Sequence, residues 1–119
     1  MSSLSPSGFI QVTVQDFAQR RAEVDAQDLQ LIDVREPEEV EIASLPGFLL
    51  YPLSQSQSWT QILPTQLDRE KETYVLCHHG MRSAQMCQWL SAQGFTQVHN
   101  IQGGIEAYAI AVDRSVPRY

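Results

Sequence analysis

Thr73-Tyr74-Val75-Leu76-Cys77-His78-His79-Gly80-Met81-Arg82-Ser83 is an apolar run that ends at a cysteine and opens into a short polar loop. Ala84-Gln85-Met86-Cys87-Gln88-Trp89-Leu90 follows and reads as a helix. Together they predict a strand that stops at a thiol and a helix that begins a few residues on. Loop amides without intrahelical partners, and the positive end of the helix dipole, favour an anion at the loop centre. A thiol held there is expected to favour its thiolate, the reactive form. This stretch therefore predicts a nucleophilic cysteine in an anion cradle.

On the N-terminal side, Phe9-Ile10-Gln11-Val12 predicts a short strand, and Thr13 an N-cap for a helix through about Val24. Leu29 to Val34 reads as a buried strand, and Pro37 among acids from Glu36 to Glu41 as the start of a short helix. Phe48 to Tyr51 predicts a further strand. Trp59 to Leu67 predicts a helical segment that Pro64 must break or end. Beyond the central loop, Gly94 is placed as a left-handed C-cap with Phe95 packing back. Gln97 to Ile101 is the last predicted strand, and Gly103-Gly104 turns the chain into a helix through about Val112.

Strands and helices alternate, so the expected fold is α/β: a central, mostly parallel sheet with helices on both faces. Sites in such sheets lie beyond the carboxyl ends of the strands, where Cys77 is expected.

The 119 residues are enough for one domain with its own core, expected over residues 9–119 after a disordered tail at 1–8. That tail lacks the basic and apolar regions of a secretory signal, and no apolar run approaches a membrane helix. Two cysteines in these settings make neither a disulfide framework nor a zinc site, so a reducing, cytoplasmic compartment is expected. A net charge of −6 without a basic stripe argues against nucleic acid as a partner. In so acidic a chain, an anion would be drawn to the local cluster of His78, His79 and Arg82.

Four short motifs in order resemble the rhodanese-like sulfurtransferase family: Asp33-Val34-Arg35-Glu36-Pro37-Glu38-Glu39, Leu45-Pro46-Gly47, the loop from Cys77 to Ser83, and Gly103-Gly104-Ile105. The resemblance runs from about Phe9 to Tyr108 and is to the single-domain, thiosulfate sulfurtransferase class. Ala43-Ser44 stands where many relatives have Gly-His, and Tyr108 where they often have Trp; neither touches the loop.

The resemblance implies that Cys77 accepts sulfane sulfur from thiosulfate or a persulfide, with the persulfide held by His78, His79, Gly80, Met81 and Arg82. A thiol, sulfite, cyanide or a protein acceptor would then remove it, with no metal or organic cofactor. It leaves a second reading open, a non-catalytic sulfur-carrier or regulatory module that docks on a partner protein. Related phosphatases and arsenate reductases have one residue more between cysteine and arginine than the four here, which places sulfur chemistry ahead of phosphoryl chemistry.

Among the surrounding residues, His78 and His79 are expected at the pocket mouth. Arg82 is read as both anion binder and loop brace, weighted to the first. Asp33 is read as a structural partner of Arg35 or the loop, and Cys87 as core by its helical spacing with Ala84 and Leu90. Glu36 to Glu41 is read as a solvated helix face.

Overall fold

The computed structural model describes residues 8–119. Five parallel strands, β1 (Ile10–Val12), β2 (Leu29–Asp33), β3 (Leu49–Leu50), β4 (Glu72–Leu76) and β5 (Val98–Ile101), form one sheet in the order β1-β5-β4-β2-β3. The helices are α1 (Val14–Glu23), α2 (Pro37–Ile42), α3 (Ser56–Trp59), α4 (Leu63–Gln66), α5 (Met81–Ala92) and α6 (Gly104–Ala111). The expected disordered tail lies outside the described residues except for Gly8, whose carbonyl accepts from Ser91 Oγ at 2.6 Å.

Period-two alternation divides the core between the two faces of the sheet. On β4, Val75 and then Cys77 join Ile32, Met86, Cys87 and Leu90 on the α5 side. Tyr74 and Leu76 point the other way, into a cluster with Phe17, Ile101 and Ile105. Phe17 and Leu90 are both fully buried, and each such side chain contributes roughly 1.5–3 kcal/mol. The two central strands, β2 and β4, are buried along nearly their whole length and are covered on both faces. Among the described residues no helix is long and apolar enough to cross a membrane.

The caps follow the sequence closely. Thr13 Oγ1 accepts from Asp16 N at 3.0 Å at the start of α1. Gly94 is left-handed, φ 93°, and Phe95 N donates back to Leu90 O at 3.1 Å.

Several boundaries differ from expectation. The sheet is parallel at every pairing. β2 ends at Asp33 because its carboxylate turns back to accept from Arg35 N at 3.0 Å. Only Leu49 and Leu50 of the predicted third strand pair, on an edge where both are exposed. The segment around Trp59 forms two one-turn helices, and Pro64 lies in the first turn of α4, where its missing N–H costs nothing.

The acidic run at α2 is a solvated face only in part, at exposed Glu38 and Glu41. Glu36 and Glu39 cap the helix reciprocally, and Glu39 turns toward the loop after β4.

Candidate active site

β2 and β4 end level, with Asp33 opposite Leu76, so Cys77 lies just beyond the carboxyl end of the central strand. The strand's alternation turns its side chain toward α5, where it is 1% exposed. Two donors reach its Sγ: Gly80 N–H at 2.9 Å and the Ser83 hydroxyl at 3.2 Å. Gly80 adopts φ 102°, and a Cβ there would come within 3.0 Å of Gly103 N. This backbone, which L side chains rarely adopt, turns the amide inward to the sulfur.

The carbonyl side of the loop is tied down by α6. Ile105 N–H donates to Cys77 O at 2.9 Å and Glu106 N–H to His78 O at 3.1 Å. That close approach depends on Gly104, because any Cβ there would collide with both carbonyl oxygens. Asn100 Nδ2 donates to Gly80 O at 3.1 Å and to Gln11 Oε1 at 2.9 Å. With its carbonyls taken up in this way, the loop presents an amide and a hydroxyl to the sulfur.

A pocket of about 220 Å³ opens over the thiol, lined by Cys77, His78, His79, Met81 and Arg82. Met81 is 79% exposed at its rim. The structure thus gathers around one opening the residues that the loop predicted, with Gly80 buried beneath it. A larger hollow of about 380 Å³ lies along α6 near Arg114 and Arg118 and contains no cysteine.

The outer wall is an ordered network. The Arg82 guanidinium donates to both oxygens of Glu39, at 2.6 and 2.9 Å. This pairing holds the Glu39 carboxyl at about 2 and raises Arg82. Tyr119 O–H donates to Glu39 Oε2 at 2.8 Å, while its oxygen accepts from Arg35 Nη1 at 2.9 Å. Arg35 is fully buried and forks onto Asp33, with Nη2 to Oδ2 at 2.7 Å and Nε to Oδ1 at 3.0 Å. Asp33 is therefore the partner of Arg35, and Arg82 braces against Glu39.

His78 is sandwiched between the Tyr119 and His79 rings, both with centroids at 3.9 Å. Burial, with the neighbouring His79, lowers its pKa. Cys87 is fully buried in the core, and burial pushes its thiol up.

Ser83, Glu39, Asn100 and Tyr119 were not anticipated as site residues. Ser83 carried a faint signal, as a hydroxyl closing the loop. Glu39 carried one too, as the last residue of a capping box. Nothing in the sequence places Tyr119, whose contacts with Glu39 and Arg35 span 80 and 84 residues.

The rhodanese-like domain family matches residues 13–111. The Arabidopsis thaliana protein named rhodanese-like/PpiC domain-containing protein 12, chloroplastic, is 54% identical over 92 residues, 77% of this chain and 31% of that protein. The chain thus spans about a third of that relative's length. A protein of Allochromatium vinosum named sulfurtransferase is 30% identical over 83% of this chain and 87% of its own. The human single-domain sulfurtransferase TSTD1 superposes with a TM-score of 0.73 at 24% identity, covering 87% of this chain and 98% of that one, a likeness of fold.

Proposed function

The chain belongs to the rhodanese-like domain family, and on that premise we propose that it moves sulfane sulfur through a Cys77 persulfide. The observation that carries this reading is the pair of donors on one buried thiol at the floor of an open pocket. A Cys77 thiolate attacks the outer sulfur of the donor, a new S–S bond forms, and the donor's own bond to that sulfur breaks. Thiosulfate releases sulfite and a persulfide releases a thiolate. The outer sulfur then rests against the loop of His78, His79, Gly80, Met81 and Arg82. A thiol, sulfite, cyanide or a protein acceptor attacks it and returns Cys77 as thiolate. Neither step requires a metal or an organic cofactor, and a reducing compartment such as the cytoplasm would keep the thiol available.

The test is sulfur loading and turnover on the purified protein. Incubation with thiosulfate or a low-molecular-weight persulfide should add one sulfur atom to the Cys77 peptide by mass spectrometry, and cyanide should remove it as thiocyanate. Cys77→Ser should abolish both steps with little change in melting temperature. Retention of most of the activity by that variant would overturn the reading. A carrier module docking on a partner is favoured instead if the protein loads but does not turn over. The Arabidopsis relative, in which the match is 31% of a longer protein, is the observation that keeps this second reading in view.

A further inference from the structure

The pocket wall has a charge pattern that selects among sulfur donors, an inference that rests on the sulfur-transfer reading. Among the described residues, Arg82 is the one permanent cation in the pocket lining, and both oxygens of Glu39 neutralise it. Bidentate carboxylate pairing satisfies the fork geometry of a guanidinium, leaving little of its charge or donor set for a ligand. The Tyr119 hydroxyl adds a third hydrogen bond to that carboxylate and fixes it in place.

The neighbouring cations are committed as well. Arg35 is paired with buried Asp33. Arg118 is paired with Glu106 at the start of α6. What remains at the opening is a stack of imidazoles and the Met81 thioether, a surface suited to carbon and sulfur.

One loop amide is committed inward as well, since Gly80 N–H already bonds the Cys77 sulfur. A sulfonate on the donor would therefore sit at the mouth, beside a paired arginine and next to a carboxylate. We propose that this pocket takes its sulfur from organic persulfides carrying at most one negative charge, in preference to the thiosulfate dianion, and that Glu39 sets this selectivity by neutralising Arg82.

In that step the Cys77 thiolate attacks the outer sulfur of a neutral R–S–SH. The donor's S–S bond breaks, R–S⁻ departs with its electron pair, and the outer sulfur with its proton remains as Cys77–S–SH. Charge and atoms balance without any further reactant.

The experiment compares kcat/KM for loading Cys77 from 2-hydroxyethyl persulfide and from thiosulfate, at one pH and ionic strength. The wild type should favour the persulfide by at least about tenfold. Glu39→Gln keeps an amide oxygen for the α2 cap and removes the neutralising charge. It should shift the ratio toward thiosulfate by about tenfold, the order expected for one uncompensated charge near the surface. Tyr119→Phe keeps the ring on His78 and leaves both charges, so its ratio should stay within about twofold of wild type. Equal loading of the wild type from both donors would overturn the selectivity and leave sulfur transfer standing. So would an unchanged ratio in folded Glu39→Gln, or an equal shift in Tyr119→Phe, which would mark loosening rather than charge. If neither donor loads the wild type, sulfur transfer itself fails and the selectivity with it. Melting curves identify variants that do not fold; the wild-type ratio decides the preference, and folded Glu39→Gln decides its cause.

Discussion

Ile105 N–H donates to the carbonyl of Cys77 at 2.9 Å, so the helix that follows the last strand holds the catalytic candidate's own backbone from behind. The buried thiol lies at the floor of the pocket on one side while α6 takes up its carbonyl on the other. Loop shape is therefore set by a contact with a strand-helix junction more than twenty residues downstream.

Gly104→Ala tests that contact. Its Cβ would collide with the Cys77 and His78 carbonyl oxygens and push the loop away from α6. Sulfur transfer should fall more than about tenfold, beyond the roughly 1–2 kcal/mol of backbone strain at positive φ. Gly47→Ala is the control, since Gly47 has a similar φ of 86° with no contact nearer than 3.6 Å. Equal activity losses in the two variants would reduce the effect to backbone strain alone.

Ser83 supplies the second donor on the sulfur. Ser83→Ala should lower kcat/KM about 5–10-fold for every donor, the worth of about one hydrogen bond of 1–1.5 kcal/mol. Because Ser83 is fully buried, the melting temperature should be followed in parallel. Unchanged rates would mean that this hydroxyl only packs.

The two cysteines should behave as different residues. Cys87 is fully buried, and burial disfavours its thiolate, so iodoacetamide at neutral pH should label Cys77 and spare Cys87 in a peptide map. Cys87→Ser should leave turnover largely intact. Its hydroxyl, without a partner in an apolar core, should destabilise by about 1–3 kcal/mol in urea unfolding. Loss of all turnover would assign Cys87 a part in the chemistry.

Arg35 and Asp33 form a buried pair whose members cannot be removed singly at small cost. Arg35→Ala or Asp33→Ala should each destabilise by about 3–5 kcal/mol, because the other charge is left buried and unpaired. Replacing both with apolar residues of similar volume should cost less than either single change. A double variant as unstable as the sum of the singles would contradict this.

Glu39 should contribute to the acid limb of stability. Its carboxyl lies at about 2 in the folded protein against an ordinary 4.5, with the Arg82 hydrogen bonds as the main cause. A depressed carboxylate stabilises fully above its unfolded value and loses that contribution as pH falls toward the folded one. The stability difference between wild type and Glu39→Gln should therefore be constant above about pH 5 and shrink between about 4.5 and 2. A difference that does not change over that range would mean that the pair does not form in solution.

What the sequence determined by itself was local. The apolar run Thr73–Cys77 was enough for a buried strand that ends at the thiol, while the face to which each of its side chains points was decided by packing. Thr13 and Gly94 marked helix ends through short-range hydrogen bonds, Pro37 a first turn that needs no N–H, and Gly80 a turn that L side chains resist. The order of strands and helices was enough for a parallel α/β sheet with its site beyond the carboxyl ends. The partners of charged side chains were decided only in three dimensions. Glu39 reads as one acid among several on a short helix, and Arg82 as an anion binder first and a loop brace second. Packing α2 against the loop joins them across 43 residues, and Tyr119 closes over both from 80 residues away from Glu39. A charge's partner depends on which faces of distant elements meet, and local propensity and periodicity hold no record of that.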